Sequence, residues 1–303
     1  MWTLPLLILS LLLSALPVRA QVWPNEPSGS TVISDYGFDN IFQPSDASGS
    51  FAGWTSFCES CTSVDSVAAG AGPAPFSGPI VGQWRYRADL PGGISAGNLF
   101  RSLPSVKQIY VGFWWKASAG WVGHPSNVNK LGFVVVGGNF VPEMFGSPGG
   151  PYQLMLGLEL PVNNCHLPAS YGDCPGTRNS FPNVTNVPLV PGNWYRIEFC
   201  IAHSTTPTSQ DGKLKGWVNG TPTHNHNNIN TQSQAWTKYQ VNPTYGGTGS
   251  TPGQVQFFWY DHIHISSHTN RCGAGPGGGT PPSDPDTAAG PPGMVTDVTV
   301  TVQ

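Results

Sequence analysis

Apolar and polar side chains alternate residue by residue in six segments of the sequence. The segments are 108–118, 130–136, 151–160, 193–203, 213–219 and 254–266. Alternation gives an extended strand one apolar and one polar face, and the Pro-Gly, Gly-Gly and Asn-Gly pairs between segments mark turns. No window of twelve residues carries a 3.6-residue period with helix caps. The pattern predicts an all-β chain folded as a jelly roll, a two-sheet antiparallel β-sandwich.

The composition agrees with a loop-rich β protein and excludes several classes. Gly (38) and Pro (30) fill 68 of 303 positions, and 10% of the residues are charged, against about 25% in an ordinary globular protein. The net charge of -3 leaves no positive excess to neutralise a phosphate backbone, so nucleic acid is not an expected partner. Hydrophobic residues make up 39% of the chain, which is enough for a core and argues against disorder.

Changes of character along the chain predict four regions. Residues 1–20 hold a Leu-rich stretch from Leu4 to Leu16, followed by Val18-Arg19-Ala20. This is the pattern of a signal peptide cleaved after residue 20, and the apolar stretch is too short to span a membrane. Residues 21–272 form the jelly-roll domain, and residues 273–293 form a Gly/Pro-rich linker. Residues 294–303 are a terminal strand that either pairs with the sandwich or opens a truncated module, since they resemble the first strand of a fibronectin type III domain. We expect a secreted, monomeric protein without a membrane span.

The cysteines agree with export to an oxidising compartment. All six follow residue 20: Cys58, Cys61, Cys165, Cys174, Cys200 and Cys272. An even number predicts three disulfides. Proximity favours Cys165 with Cys174, which leaves Cys200 for Cys272. The Cys58-x-x-Cys61 motif is interpreted as a local disulfide that stabilises a loop. No βαβ pattern supports a redox pair at this motif, and no second close cysteine pair supports a zinc site.

Three of the alternating segments predict which side chains share a face. In 108–118 the adjacent Trp114 and Trp115 must point to opposite faces, so one of the two is free of the core and is a candidate for stacking on sugar. In 193–203 the more polar face carries Trp194, Arg196, Glu198 and Cys200. In 254–266 we expect Tyr260, His262 and His264 on one face.

Five segments together resemble a known superfamily. They are QIYVGFWWKASAGWVGHPSNVNKLGFV at 108–134, NWYRIEF at 193–199, DGKLKGWVNG at 211–220, YGG at 245–247 and FWYDHIHIS at 258–266. Over residues 36–267 the chain is similar to secreted concanavalin A-like jelly rolls, and more narrowly to their polysaccharide-lyase-like and uncharacterised members. The resemblance implies the fold and a polysaccharide partner. It does not choose an activity, because the same fold serves lectins, glycanases, lyases and binding modules.

The acidic residues argue against a laminarinase-like glycanase and leave a lyase as a candidate. The E-x-D-x-(x)-E motif that places paired carboxylates for glycoside hydrolysis is absent. A lyase that cleaves a uronic acid polymer by β-elimination needs a base and a cation or amide that stabilises the enolate. The predicted catalytic residues, expected on one concave face, are Lys130, Arg196, Glu198 and His262. Each of these residues also has a non-catalytic interpretation. Arg196 and Glu198 could form a cross-strand ion-pair ladder, His262 could orient a loop, and Lys130 could be a solvated charge at a sheet edge.

Aromatic, amide and imidazole side chains supply candidates for holding a glycan. The predicted carbohydrate-binding residues are Trp114, Trp121, His124, Asn129, Tyr260 and His264. Packing in the core or at its rim is the alternative for the tryptophans. Because the chain has few basic residues, sparsely charged or neutral glycans are the better partners. A non-catalytic binding module and a structural or adhesive surface protein remain open beside the lyase.

No cofactor is required by the lyase hypothesis, and one metal site is considered. Asp35, Asp39 and Asp261 offer hard oxygen ligands for a structural calcium ion, with a plain hydrogen-bonded Asp261 as the alternative. The His224-x-His226 and His262-x-His264 pairs suggest a transition metal less well, because no acidic or cysteine partner lies at ligand spacing.

Overall fold

A computed structural model describes residues 23–38, 49–51, 53–57, 64–68, 80–135, 139–159, 178–231 and 234–273. The regular elements in these ranges are eighteen β-strands in two antiparallel sheets, which confirms the predicted all-β sandwich. Within them no helix has the length and apolar character needed to cross a membrane. Several predictions lie outside the described residues: the signal peptide, most of the linker, the terminal strand, Asp39, Cys58, Cys61, Cys165 and Cys174.

The first sheet, called sheet A, has eight strands and contains most of the predicted site residues. In spatial order they are β16 (Thr221–Ile229), β15 (Gly212–Val218), β14 (Tyr195–Ala202), β7 (Gln108–Ala117), β18 (Gln256–Ser267), β5 (Ile80–Tyr86) and β4 (Val64–Ala68), with β1 (Thr31–Tyr36) also paired to β18. The last described strand, β18, therefore lies in the middle of the sheet between β7 and β5.

The second sheet, called sheet B, has ten strands. In spatial order they are β12 (Arg178–Phe181), β11 (Tyr152–Glu159), β10 (Asn139–Phe145), β9 (Phe133–Val135), β17 (Trp236–Val241), β6 (Asn98–Val106), β3 (Trp54–Phe57) and β2 (Gly49–Phe51), with β13 (Pro188–Leu189) beside β11 and β8 (Val128–Lys130) beside β10. The predicted strand 130–136 is thus two short strands, β8 and β9, that pair with the same neighbour.

The core lies between the two sheets, and the alternation of β7 shows how the sequence builds it. Ile109, Val111, Phe113 and Trp115 of this strand belong to the main buried cluster, which draws on both sheets. Tyr110 and Trp114 belong to a second cluster on the opposite, outer face of sheet A. The prediction that Trp114 and Trp115 point to opposite faces is confirmed.

A β-bulge in β18 changes the face on which its polar residues lie. The pairing of β18 with β7 shifts register between Asp261 and His264, and His262 at the bulge has a φ of 46°. Tyr260 on one side of the bulge and Ile263 on the other both enter the main core. The predicted shared face of Tyr260, His262 and His264 is therefore wrong, because the extra residue reverses the alternation.

Candidate functional site

The outer face of sheet A, called the A face, is partly covered by the N-terminal segment 23–30. The Trp23 ring lies directly on Gly112 of β7, where a Cβ atom would come within 2.5 Å of the ring. Trp23 is 4% exposed and belongs to the outer-face cluster with Tyr110 and Trp114. A glycine in the centre of β7 therefore provides the space that seats this tryptophan.

Below this segment, Glu198 is the centre of a buried hydrogen-bond network. Its carboxylate is fully buried and accepts hydrogen bonds from the Tyr110 hydroxyl, from Arg196 Nε at 2.9 Å and from Asn25 Nδ2 at 3.0 Å. The carboxylate also helps to raise the pKa of Tyr110 well above its ordinary value, after burial, which is the larger cause. Two strands and the N-terminal segment thus converge on one carboxylate.

A second ionic cluster on the A face involves the two histidines of β18. His264 Nε2 lies 3.0 Å from Glu26 Oε1, and its Nδ1 lies 3.1 Å from Asp35 Oδ1. His262 Nε2 contacts the same Asp35 oxygen at 2.8 Å. Burial alone would lower the pKa of His264, but hydrogen bonds and charges from Asp35 and Glu26 outweigh it and raise the pKa to about 9. The same contacts hold the pKa of Asp35 well below its ordinary range, against the effect of burial.

These pKa shifts predict how stability depends on pH. Because the folded pKa of His264 is about 9 and the unfolded value is near 6.5, its contribution is complete below pH 6.5 and is lost as the pH rises through 9. A shift of that size corresponds to roughly 3 kcal/mol. Urea unfolding at pH 6.5 and pH 9.5 should show the decrease, and the His264→Gln variant should show a much smaller one. An equal decrease in both proteins would contradict the assignment to His264.

The four predicted catalytic residues do not share one face. Arg196 and Glu198 lie in β14 and His262 lies in β18, both in sheet A. Lys130 ends β8 in sheet B. The expected common groove is therefore wrong, because alternation assigns a side chain to a face but not to a sheet. Of the three residues of sheet A, Glu198 binds Asn25 of the N-terminal segment, Arg196 pairs with Glu198, and His262 contacts Asp35 of β1.

Lys130 lies on the outer face of sheet B, called the B face. Its Nζ is 3.1 Å from Glu159 Oε1, with side-chain exposures of 20% and 25%. The ammonium also lies 5.2 Å from the centre of the Phe133 ring. In the β-ladder Lys130 is opposite Glu143, which in turn is opposite Met155.

Amide side chains on two other strands of sheet B add to the polar character of the B face. Tyr152 and Leu154 of β11 enter the core, so Gln153 between them points outward. Gln240 of β17 is placed in the same way between Tyr239 and Val241. The B face therefore presents a partly exposed ammonium and carboxylate and two outward amides on one sheet.

Most of the predicted carbohydrate-binding residues are buried. Trp121 and Tyr260 belong to the main core, where the Tyr260 hydroxyl donates to the carbonyl of Leu131. His124 is 3% exposed, and its Nδ1 accepts from the backbone N–H of Ser126.

Asn129 is also buried and binds the backbone of His124 and Met144. Trp114 and His264 are the members of the set that lie on the A face, and they are 9% and 5% exposed. None of the six offers an open ring face or donor, so the structure provides no contact surface for a glycan at these positions.

The predicted calcium ligands are not gathered in the described part of the chain. Asp35 contacts two histidines, and Asp261 is a buried residue of β18 with a partner of its own. Within the described ranges, the group of three potential metal ligands is Cys200, His268 and Cys272. Its two cysteines form the predicted disulfide, with Cα atoms 5.8 Å apart, so that pairing is confirmed.

A row of side chains that no sequence pattern singled out crosses the A face. Lys116 Nζ lies 5.8 Å from the centre of the Trp194 ring and 5.3 Å from that of Trp259. Trp259 Nε1 donates to Gln83 Oε1 at 2.9 Å. Alternation predicted that Trp194 and Lys116 point outward. Their contact with Trp259 depends on the pairing of β7 with β18, two strands that are separated by about 140 residues of chain.

Comparisons with known proteins give structural similarities only. No protein-family model matches the sequence, and no curated protein matches it. A mutant of alginate lyase Aly36B in complex with alginate trisaccharide is 13% identical, with a TM-score of 0.48, over 72% of this chain and 99% of that chain. Endo-β-1,4-glucuronan lyase from the fungus Trichoderma reesei is 15% identical, with a TM-score of 0.48, over 75% and 96%. Alginate lyase vAL-1 from Chlorella virus is 15% identical, with a TM-score of 0.49, over 68% and 90%.

Proposed function

We propose that this protein is an exported polysaccharide lyase that cleaves a uronic-acid-containing polysaccharide on the B face. The observation that carries the proposal is the Lys130–Glu159 pair, an ammonium and a carboxylate 3.1 Å apart and both partly exposed. It supplies a cation and a proton acceptor side by side, as β-elimination requires. On the A face, by contrast, Glu198 and His264 already bind Asn25 and Glu26 of the N-terminal segment. This contrast favours the B face as the place of the reaction.

The reaction follows from the two charges. The Lys130 ammonium binds the carboxylate of a uronic acid and stabilises the enolate that forms when the adjacent carbon loses its proton. Glu159 accepts that proton. The bond between C4 and the glycosidic oxygen then breaks, a C4=C5 double bond forms, and the leaving oxygen takes a proton from water. Gln153 and Gln240 lie on the same face to bind hydroxyl groups of the chain.

The unsaturated uronate absorbs ultraviolet light, which gives a direct test. Purified protein mixed with alginate or glucuronan should produce a steady rise in absorbance near 235 nm. The Glu159→Gln variant, which keeps the shape but loses the proton acceptor, should give a rate at least a hundredfold lower, within the usual contribution of acid–base catalysis. A flat trace with every polyuronate would overturn the lyase assignment.

A non-catalytic polysaccharide-binding protein is the second candidate, and one observation favours it. The two indoles around Lys116 form a patch of the kind that holds sugars by their apolar faces and by charge. If no polymer gives an absorbance signal but one of them retards the protein in an affinity gel, the binding function replaces the lyase.

A further inference from the structure

We propose that the A face carries a second polysaccharide-binding site, centred on Lys116, that takes a carboxylated sugar of the polymer. The site, called the Lys116 patch, consists of Gln83, Lys116, Trp194, Phe257 and Trp259. It lies on the sheet opposite to Lys130, so it is separate from the proposed catalytic pair. The proposal shares the substrate class with the proposed function, but it concerns binding alone.

The register of sheet A places the patch across four strands. Lys116 of β7 is opposite Trp259 of β18, which is opposite Gln83 of β5. Trp194 precedes β14 by one residue and continues the same row beyond Lys116. With about 4.8 Å between neighbouring strands, the row is about 14 Å long, which is enough to contact two or three consecutive sugars of an extended chain.

The charge of Lys116 is the reason to expect an anionic sugar. Its ammonium lies over two indoles, and within the described ranges no carboxylate or carbonyl oxygen accepts a hydrogen bond from it. Tryptophan rings offset part of the charge but accept no strong hydrogen bond from the three N–H groups of an ammonium. A carboxylate provides the missing acceptors, and the surrounding rings strengthen its attraction by excluding water.

The neighbouring side chains suit a sugar ring. Trp194 and Phe257 are partly exposed, and Phe257 stacks on Trp259 with 5.5 Å between ring centres. Such rings pack against the C–H face of a pyranose. Gln83 Oε1 accepts from Trp259, which leaves its two amide N–H groups for a sugar hydroxyl. The patch therefore combines an apolar floor, one cation and one amide, which fits a uronic acid better than a neutral sugar.

Affinity electrophoresis tests the site without requiring turnover. Each variant also carries Lys130→Met, so that the polymer stays intact, and runs through gels with and without alginate. We expect Lys116→Met to raise the dissociation constant at least tenfold, and Lys116→Arg to change it much less. Lys107→Met removes the same charge from an exposed turn outside the patch and is the matched control. Circular dichroism confirms that each variant is folded.

Two outcomes would overturn the proposal. Equal retardation of the Lys116→Met and Lys107→Met proteins would show that Lys116 does not bind the polymer. If Lys116→Met lost retardation equally in alginate and in a neutral polymer such as hydroxyethyl cellulose, the charge of Lys116 would not select anionic sugars. Failure of the lyase assignment is visible separately, because the absorbance assay measures product and the gel measures binding.

Discussion

Replacing Lys130 with methionine is expected to lower the rate of polyuronate cleavage at least a hundredfold. The substitution keeps most of the side-chain volume against Phe133 but removes the ammonium that faces Glu159. Loss of one group that stabilises developing negative charge typically costs a factor of 10² to 10³ in turnover. The initial rate at 235 nm, at saturating alginate or glucuronan, measures the effect.

Stability should change little in the same protein, since a partly exposed ion pair is worth at most about 1 kcal/mol. Lys107→Met is again the control for removal of one positive charge and should retain full activity. Lys130→Arg separates the roles further: an arginine still binds the carboxylate, so partial activity is expected. A Lys130→Met protein with unchanged turnover would exclude this residue from the reaction.

The largest effect on stability is expected for Glu198→Ala. The carboxylate is fully buried and accepts hydrogen bonds from Tyr110, Arg196 and Asn25. Its removal leaves a largely buried guanidinium and a buried hydroxyl without that acceptor, and breaking one side of a buried ion pair costs about 3–5 kcal/mol. The midpoint of urea unfolding at pH 7 should decrease accordingly, with fluorescence of the tryptophans as the signal.

The Asp89→Asn variant is a suitable comparison. Asp89 forms an ion pair with Arg87 in which both side chains are exposed, and its loss should change the free energy of unfolding by less than about 1 kcal/mol. If Glu198→Ala kept its stability and lost cleavage activity instead, the buried network would have a catalytic role and the proposed place of the reaction would have to move to the A face.

Local patterns predicted the faces of β7 and β14, because each strand follows strict alternation with no irregularity. In β18 the alternation is broken at His262, where a bulge adds one residue and exchanges the two faces. A bulge has no reliable signature in a single sequence. The prediction of one strand over 130–136 is also wrong, because Leu131 and Gly132 separate β8 from β9.

The candidate site was harder to predict than the fold. The residue types suited to β-elimination were identified, but their assembly depends on which strands pair over long distances in the chain. Lys130 and Arg196 appeared equivalent as polar residues on strands, yet they lie in different sheets. The sequence also gives no sign that segment 23–30 covers Glu198, because Asn25 lies 173 residues from Glu198 along the chain.

The pairing of β1 with β18 has a consequence for the order of folding. Asp35 meets His262 across 227 residues of sequence, and β18 also completes the contacts of β7 and β5 in the middle of sheet A. During synthesis β1 therefore has no β18 to pair with until nearly all of the domain has emerged from the ribosome. Contacts so distant along the chain make folding slow. A nascent chain with exposed edges of β7 and β5 depends on protection from aggregation until β18 has been synthesised.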